Sequence, residues 1–230
     1  MYSDGTYQFY QNNLVKKGTK IRKGVLENRK YQQVKDLLNI NNVSLLDVGC
    51  GGGTFLDVCK ERGWDVEGVD PSPESSSATG VKINHGDFNK MDFDKKFDVI
   101  TFWGVLEHLS DPISAVLKAT SLLNHSGMIV FEVPSANCFI NEYLKKSTFS
   151  PTRYIESGRH NIFFSKYLIE KMANDFNLEI VLMETNGLDL QTILLEEFDQ
   201  SITEKIINMQ DTLNDLLLGD HYRVFLKKSS

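Results

Sequence analysis

Apolar and polar positions follow two rhythms along this chain. In "NRKYQQVKDLLNI" the apolar residues Tyr31, Val34, Leu37 and Leu38 keep the three-and-four spacing of one helix face. "VSLLDVG", which follows, is a short and nearly unbroken apolar run, the pattern of a strand covered on both faces. "GTFLDVCKERG" returns to helical spacing and stops at Gly63. "WDVEGVD", "VKINHGD", "FDVITFW" and "MIVFEVP" then predict strands two to five. Between the last two, "DPISAVLKATSLLNHSG" predicts a helix with Pro112 in its first turn and Gly127 after its end. "SKYLIEKMANDF" predicts a further helix with Ser165 as N-cap. "LEIVLMET" and "HYRVFLKK" predict two closing strands. Strands alternating with helices specify an α/β chain whose parallel-dominated sheet is covered on both faces. The last strand follows a long helical excursion and is expected to enter antiparallel.

This order organises the chain as a single domain over residues 1–230. Residues 1–40 form an N-terminal helical cap or lid, and 187–220 a helical insertion before the last strand. The 41% hydrophobic content suffices for one core. No stretch reads as a signal-peptide core, and none approaches the ~20 apolar residues of a membrane span. The three cysteines, Cys50, Cys59 and Cys138, form no CxxC pair, so a reduced, cytoplasmic protein without disulfides is expected. A net charge of -6 argues against a nucleic-acid partner. The charge is uneven, however. Lys16, Lys17, Lys20, Arg22, Lys23, Arg29, Lys30 and Lys35 crowd the N-terminal segment, which with the acidic stretch 184–220 is either a pair of solvated helix faces or the part that meets a phosphorylated substrate.

Parallel sheets bind ligands beyond the carboxyl ends of their strands, so the residues just after each strand carry the candidate chemistry. After the first strand stand Asp47, Gly49, Cys50, Gly51, Gly52 and Gly53. The dinucleotide fingerprint G-x-G-x-x-G would need a glycine at position 54, which is Thr54. A pyrophosphate also gains nothing from the Asp47 carboxylate, whereas an ammonium group does. Asp70 ends the second strand, where such folds place the acid that accepts from ribose hydroxyls. Asp87 and Phe88 follow the third, an acceptor for an exocyclic amine beside a ring that packs on a base. An amino-acid end, a ribose and an adenine together describe S-adenosylmethionine.

At these residues the sequence resembles the class I S-adenosylmethionine-dependent methyltransferases, from about residue 40 to 183 and again at the last strand. "LLDVGCGGG", "VEGVDPS" and "HGDF" resemble the first three motifs of that family. "FDVITFWGVLEHLSDP" and "RHNIFFSKYLIEKMANDFNLEIV" resemble segments of ubiquinone-biosynthesis and bacterial small-molecule or glycan-pathway methyltransferases. The resemblance implies a Rossmann-like seven-stranded sheet of order 3-2-1-4-5-7-6 with strand 7 antiparallel. It implies that Asp47, Gly49, Cys50, Gly51 and Gly53 wall the methionine end and that Asp70 holds the ribose, flanked by Pro71 and Ser72. Asp87 and Phe88 would hold the adenine, and Phe102 and Trp103 would lie near the sulfonium.

The acceptor side is read from what remains. O-methylation benefits from a base, and His108 just past the fourth strand and His160 in "SGRHNIFFS" are the catalytic candidates. The alternative for Glu107 and His108 is to shape the loop and cap the next helix. His85, His125 and His221 look peripheral. Glu107, Tyr143, Arg153, Tyr154 and Arg159, with Tyr7 and Tyr10 from the cap, form the substrate-binding set. Glu107, His108 and Glu132 carry metal-donor atoms, but no spacing is diagnostic and no metal requirement is expected. Ile202, Ile206, Met209 and Leu213 share one helix face, either core or the contact of a homodimer. The expected function is O-methylation of a small biosynthetic intermediate such as a sugar or sugar nucleotide. N- or C-methylation, or a non-catalytic cofactor-binding module, are the competing readings.

Overall fold

The structure is a computed structural model that describes residues 26–38, 40–139, 160–186 and 209–228. It comprises α1 (Asn28–Leu37), β1 (Ser44–Val48), α2 (Thr54–Glu61), β2 (Asp65–Asp70), β3 (Lys82–His85), β4 (Phe97–Trp103), α3 (Pro112–Leu122), β5 (Leu123–Pro134), α4 (Lys166–Asp175), β6 (Leu178–Asn186) and β7 (His221–Lys228). The sheet order is β3-β2-β1-β4-β5-β7-β6. The β1–β2, β1–β4, β2–β3 and β4–β5 pairs are parallel; β7 runs antiparallel to both β5 and β6. This is the expected Rossmann-like architecture.

The unbroken apolar strands are explained by two cores, one on each face. Leu46, Ile100, Phe102, Phe131 and Val224 point to the side covered by α3 and α4, where Ala115, Val116, Ala119, Ile169 and Met172 meet them. The alternating positions Leu45, Val99, Val130 and Phe225 point the other way, onto Tyr31 and Val34 of α1 and Phe55, Leu56 and Cys59 of α2. Asp111 caps α3 by accepting from the Ser114 N–H at 2.9 Å, and Ser165 caps α4 from Leu168 at 3.1 Å.

One boundary differs from expectation. α3 stops at Leu122, well before Gly127, because Leu123 turns extended (φ -74°, ψ 143°) and joins the sheet opposite Phe97. Asn124 is then held by Asp98 at 2.6 Å, and regular pairing resumes at Met128 opposite Val99. From β1 the chain winds out to β3 and returns on the far side of β1 as β4. The crevice at the carboxyl ends of β1 and β4 is therefore the topological switch point. Within the expected insertion, residues 209–215 are helical, with Met209 exposed; 187–208 lie outside the described residues.

Candidate functional site

The glycine turn is fixed by its neighbours. Gly49 and Cys50 donate to the Val69 carbonyl at 2.7 and 3.2 Å, and Gly53 donates to the Cys50 carbonyl at 2.9 Å. Gly49 has φ +72°, and a Cβ there would run into the Val105 methyls of the loop after β4. At Gly53, φ is +63° and a Cβ would stand 2.9 Å from the Ser76 carbonyl oxygen. Both positions thus need glycine twice over, for conformation and for room. Asp70, only 8% exposed, accepts from the Gly51 N–H and the Ser72 N–H, each at 2.8 Å, one on each carboxylate oxygen. It ties the turn after β1 to the loop after β2. His85 extends the brace through the Ser72 carbonyl, 2.9 Å from Nδ1. Pro71 is exposed beside it.

Asp47 is 3% exposed and accepts from the Thr101 hydroxyl at 2.6 Å. Burial pushes its carboxyl up to about 7, against the opposing pull of that hydrogen bond and of Lys30. Burial also raises the Cys50 thiol, with Asp47 and Asp70 adding to it, so the thiol is inert and its backbone is what lines the turn. This cradle suits the amino-acid and ribose ends of S-adenosylmethionine: bare backbone at Gly49–Gly53, a buried carboxylate at Asp47, and a second at Asp70.

The expected aromatics divide. Phe88 and Phe102 are buried in the α3–α4 core, ring centroids 5.7 Å apart. Asp87 is exposed and caps the short turn Phe88–Lys90, accepting from Asn89 N–H at 3.0 Å, with Lys90 3.4 Å away. Trp103 faces the other core, edge-on to Phe55 at 5.3 Å, with the Lys30 ammonium 4.6 Å from its ring centre. Its indole nitrogen is buried without a hydrogen-bond partner among the described residues. Lys30, on α1, was not among the expected site residues.

Past β4 the chain makes a short helical turn, Leu106–His108, after Gly104. Glu107 is buried there. One of its oxygens lies 3.9 Å from His108 Nε2, and the other is buried without a hydrogen-bond partner among the described residues. Burial, opposed by the charge of His221 and aided by that of Glu132, brings the Glu107 carboxyl to about 7. The His108 and His160 rings are 5.0 Å apart although 52 residues separate them in sequence (160 − 108). Asn161 makes this possible. Its N–H donates to the Glu107 carbonyl at 2.7 Å, and its side-chain amide to the His108 carbonyl at 2.9 Å.

Two expectations shift. Glu132 is engaged by Arg223, at 2.9 Å from Nε and 2.5 Å from Nη2, and by Asn186 at 3.0 Å. Burial raises its carboxyl, but Arg223 and Lys30 more than offset this and hold it below the usual range. His221, read as peripheral, instead begins β7. Because β7 is antiparallel, its start lies at the carboxyl ends of the other strands. There burial lowers the imidazole, but Asp220, 2.9 Å away, outweighs that and raises it. Tyr7, Tyr10, Tyr143, Arg153, Tyr154 and Arg159 lie outside the described residues.

The doubly covered sheet with β7 antiparallel and a glycine cradle at its switch point define the class I S-adenosylmethionine-dependent methyltransferase architecture. The chain belongs to the methyltransferase domain family, matched over residues 18–183, and S-adenosylmethionine is its methyl donor. It is similar to a ubiquinone biosynthesis O-methyltransferase of Hydrogenovibrio crunogenus, 25% identical over 70% of this chain and 71% of that protein. The namesake enzyme of Colwellia psychrerythraea is 32% identical over 45% of this chain and 46% of its own length. Thus only part of the curated relatives' length is spanned, under half in the Colwellia case. A methyltransferase from Archaeoglobus fulgidus shares the fold with TM-score 0.64 and 20% identity, over 98% of this chain and all of that one. Magnesium protoporphyrin IX methyltransferase from Synechocystis, solved with S-adenosylhomocysteine, gives TM-score 0.62 and 14% identity, over 98% and 94%.

Proposed function

We propose that this chain transfers the methyl group to a hydroxyl oxygen of a small biosynthetic intermediate, such as a sugar or sugar nucleotide. The observation that carries this reading is the Glu107–His108–His160 cluster beside the cofactor cradle. An already cationic methyl donor needs little from the protein beyond an aligned acceptor and exclusion of water. A hydroxyl acceptor also needs its proton removed, and an imidazole serves that role near neutrality. His108 and His160 are the groups that take it, while the Glu107 oxygen that has no partner among the described residues accepts a hydrogen bond from the acceptor. Asp47, Gly49, Cys50, Gly51 and Gly53 line the methionine end, Asp70 with Pro71 and Ser72 the ribose, and Asp87 the adenine edge. Trp103 stands toward the sulfonium. The O-methyltransferase names of the curated relatives support the choice of oxygen.

The rest of the reading follows the chain's charge and layout. Residues 1–40 close over the site as a cap, and 187–220 complete the acceptor pocket with Tyr143, Arg153, Tyr154 and Arg159. The basic cap favours a phosphorylated acceptor. No helix among the described residues is long and apolar enough to cross a membrane; we assign the protein to the cytoplasm, acting without nucleic acid and as a homodimer. Turnover of a hydroxylated small-molecule panel with a methyl-labelled donor tests the reading, compared between wild type, His108→Ala and His160→Ala. Loss in either variant supports an oxygen acceptor; full activity in both removes the imidazole base from the account.

A further inference from the structure

β2 and β3 are neighbouring parallel strands, yet residues 71–81 between them contain no helix and no strand. A connection between parallel strands is usually a helix, which satisfies its own backbone groups. This one reads "PSPESSSATGV", a run of turn residues that needs outside partners to keep one shape.

The partners come from α2. Asp57, in the first turn of that helix, directs its carboxylate at the loop. One oxygen accepts from the Ser77 hydroxyl at 2.5 Å, the Thr79 hydroxyl at 2.7 Å and the Thr79 N–H at 3.0 Å; the other accepts from the Ala78 N–H at 3.1 Å. The Ser77 hydroxyl oxygen accepts in turn from the Val81 N–H at 3.1 Å, and Lys60 donates to the Thr79 carbonyl at 2.9 Å. Burial raises the Asp57 carboxyl, but the bonds from Ser77, Thr79 and Ala78 outweigh it and hold the group below its usual range. Near neutrality the clamp is therefore a full anion.

The clamped loop is also a wall of the glycine turn. A Cβ at Gly53, the N-cap of α2, would stand 2.9 Å from both the Ser76 carbonyl oxygen and Ser77 Cα. The start of the loop is fixed separately, by the Ser72 N–H on Asp70 and the Ser72 carbonyl 2.9 Å from His85 Nδ1. The stretch from Ser72 to Ser77 is thus anchored by Asp70 at one end and by Asp57 at the other.

We propose that Asp57 is a positioning residue for S-adenosylmethionine, acting through the loop after β2 and not by its own contact with the cofactor. A loop without a helix loses conformational freedom when it orders. The clamp meets that cost on folding, so cofactor binding does not have to. Without the clamp the loop keeps its binding-competent arrangement only part of the time, and the apparent affinity falls by that fraction. The proposal rests on the reading that places the cofactor at the glycine turn, with Pro71 and Ser72 beside the ribose.

The test is calorimetric titration of S-adenosylhomocysteine into the full chain as wild type, Asp57→Ala, Thr79→Val, the double variant and Asp70→Ala, each checked for folding by circular dichroism. The result expected is binding weakened about tenfold or more by Asp57→Ala and about threefold by Thr79→Val, with the double variant within about twofold of Asp57→Ala. Cleavage after the exposed Glu74 by a glutamyl endopeptidase should quicken in Asp57→Ala and slow again with S-adenosylhomocysteine. A role confined to holding the fold moves the denaturation midpoint and leaves the affinity of the folded variants unchanged; that result overturns the proposal, as does a double variant in which the two losses multiply. Thr79→Val removes one hydroxyl from the clamp and spares the carboxylate, so it decides the matter if Asp57→Ala does not fold. Loss of binding in Asp70→Ala with full binding in Asp57→Ala overturns this inference alone. Full binding in both puts the cofactor elsewhere and removes the underlying reading as well.

Discussion

Two buried carboxylates flank the switch point, and they differ in one respect that separates the two halves of the site. Asp47 lies one residue before the end of β1 and Glu107 follows β4; burial brings both to about 7. Asp47 already has a donor in Thr101, and it sits in a frame closed by backbone hydrogen bonds from Val69 to Gly53. Glu107 has an oxygen with none among the described residues. On the proposed reading, the glycine turn of the cofactor half is held by its own backbone hydrogen bonds, and the ligand's groups fill the cradle. On the same reading, the acceptor half leaves a polar demand at Glu107 for a substrate to meet. A preformed cofactor site beside a demanding acceptor site lets one methyl donor serve many chemistries in this fold.

The sharpest way to test that division is to damage one half and read the other. Glu107→Gln is expected to lower turnover roughly 10- to 100-fold, the scale of a lost hydrogen bond to a charged group. Its S-adenosylhomocysteine affinity should stay within about twofold. Equal loss of both would erase the distinction between the halves. Gly49→Ala should do the reverse damage. Its positive φ and its collision with Val105 are expected to cost about 3 kcal/mol of stability in chemical denaturation, with cofactor binding lost. Adding Val105→Ala should restore only the steric share, and full recovery would show that the backbone conformation is unstrained.

Asp47→Asn probes the burial shared by both halves. Folding raises the Asp47 carboxyl to about 7 from the ordinary carboxylate range. Between pH ~4 and 7 the folded chain holds a proton that the unfolded chain has released, so this residue's contribution to stability falls as pH rises through that window. The asparagine variant is therefore expected to be more stable than wild type at pH 8, by on the order of 2 kcal/mol, and no more stable near pH 4. Denaturant midpoints at the two pH values decide it; a gain independent of pH would contradict the account. Asp87→Ala is the smallest change. As a turn cap it should lose about 1 kcal/mol or less, with cofactor affinity falling only severalfold. A loss beyond tenfold would make Asp87 the principal adenine anchor.

Much of this was legible in the sequence because the signals were local. β4 and β7 coincide with their apolar runs, since strands buried on both faces leave little room for polar residues. The glycine turn and Asp70 were readable because strand, turn and acid lie close together in the chain. The misses needed long-range knowledge. The end of α3 at Leu122 depends on Leu123 finding Phe97 across the sheet. The antiparallel entry of β7 was legible, but the place it gives His221 at the carboxyl ends of the other strands was not drawn from it, and Lys30 meets Trp103 only because α1 folds over it. Phe88 and Phe102 stand beside polar site positions in the sequence, yet the turn Phe88–Lys90 and the pleat of β4 put both rings into the core. His160 was legible as chemistry, whereas the hydrogen bonds of Asn161 that bring it to His108 were not.

The measurement that bears most directly on the central claim is calorimetric titration of S-adenosylhomocysteine into wild type and Asp70→Ala. Asp70 joins the two loops of the cradle through both its oxygens, so its loss removes charged hydrogen bonds of ~1.5–3 kcal/mol each. The account predicts micromolar one-to-one binding in wild type and an affinity about 100-fold lower in the folded variant. Wild-type protein that is folded and does not bind, or a variant that binds equally well, would contradict the assignment of the cofactor to this turn.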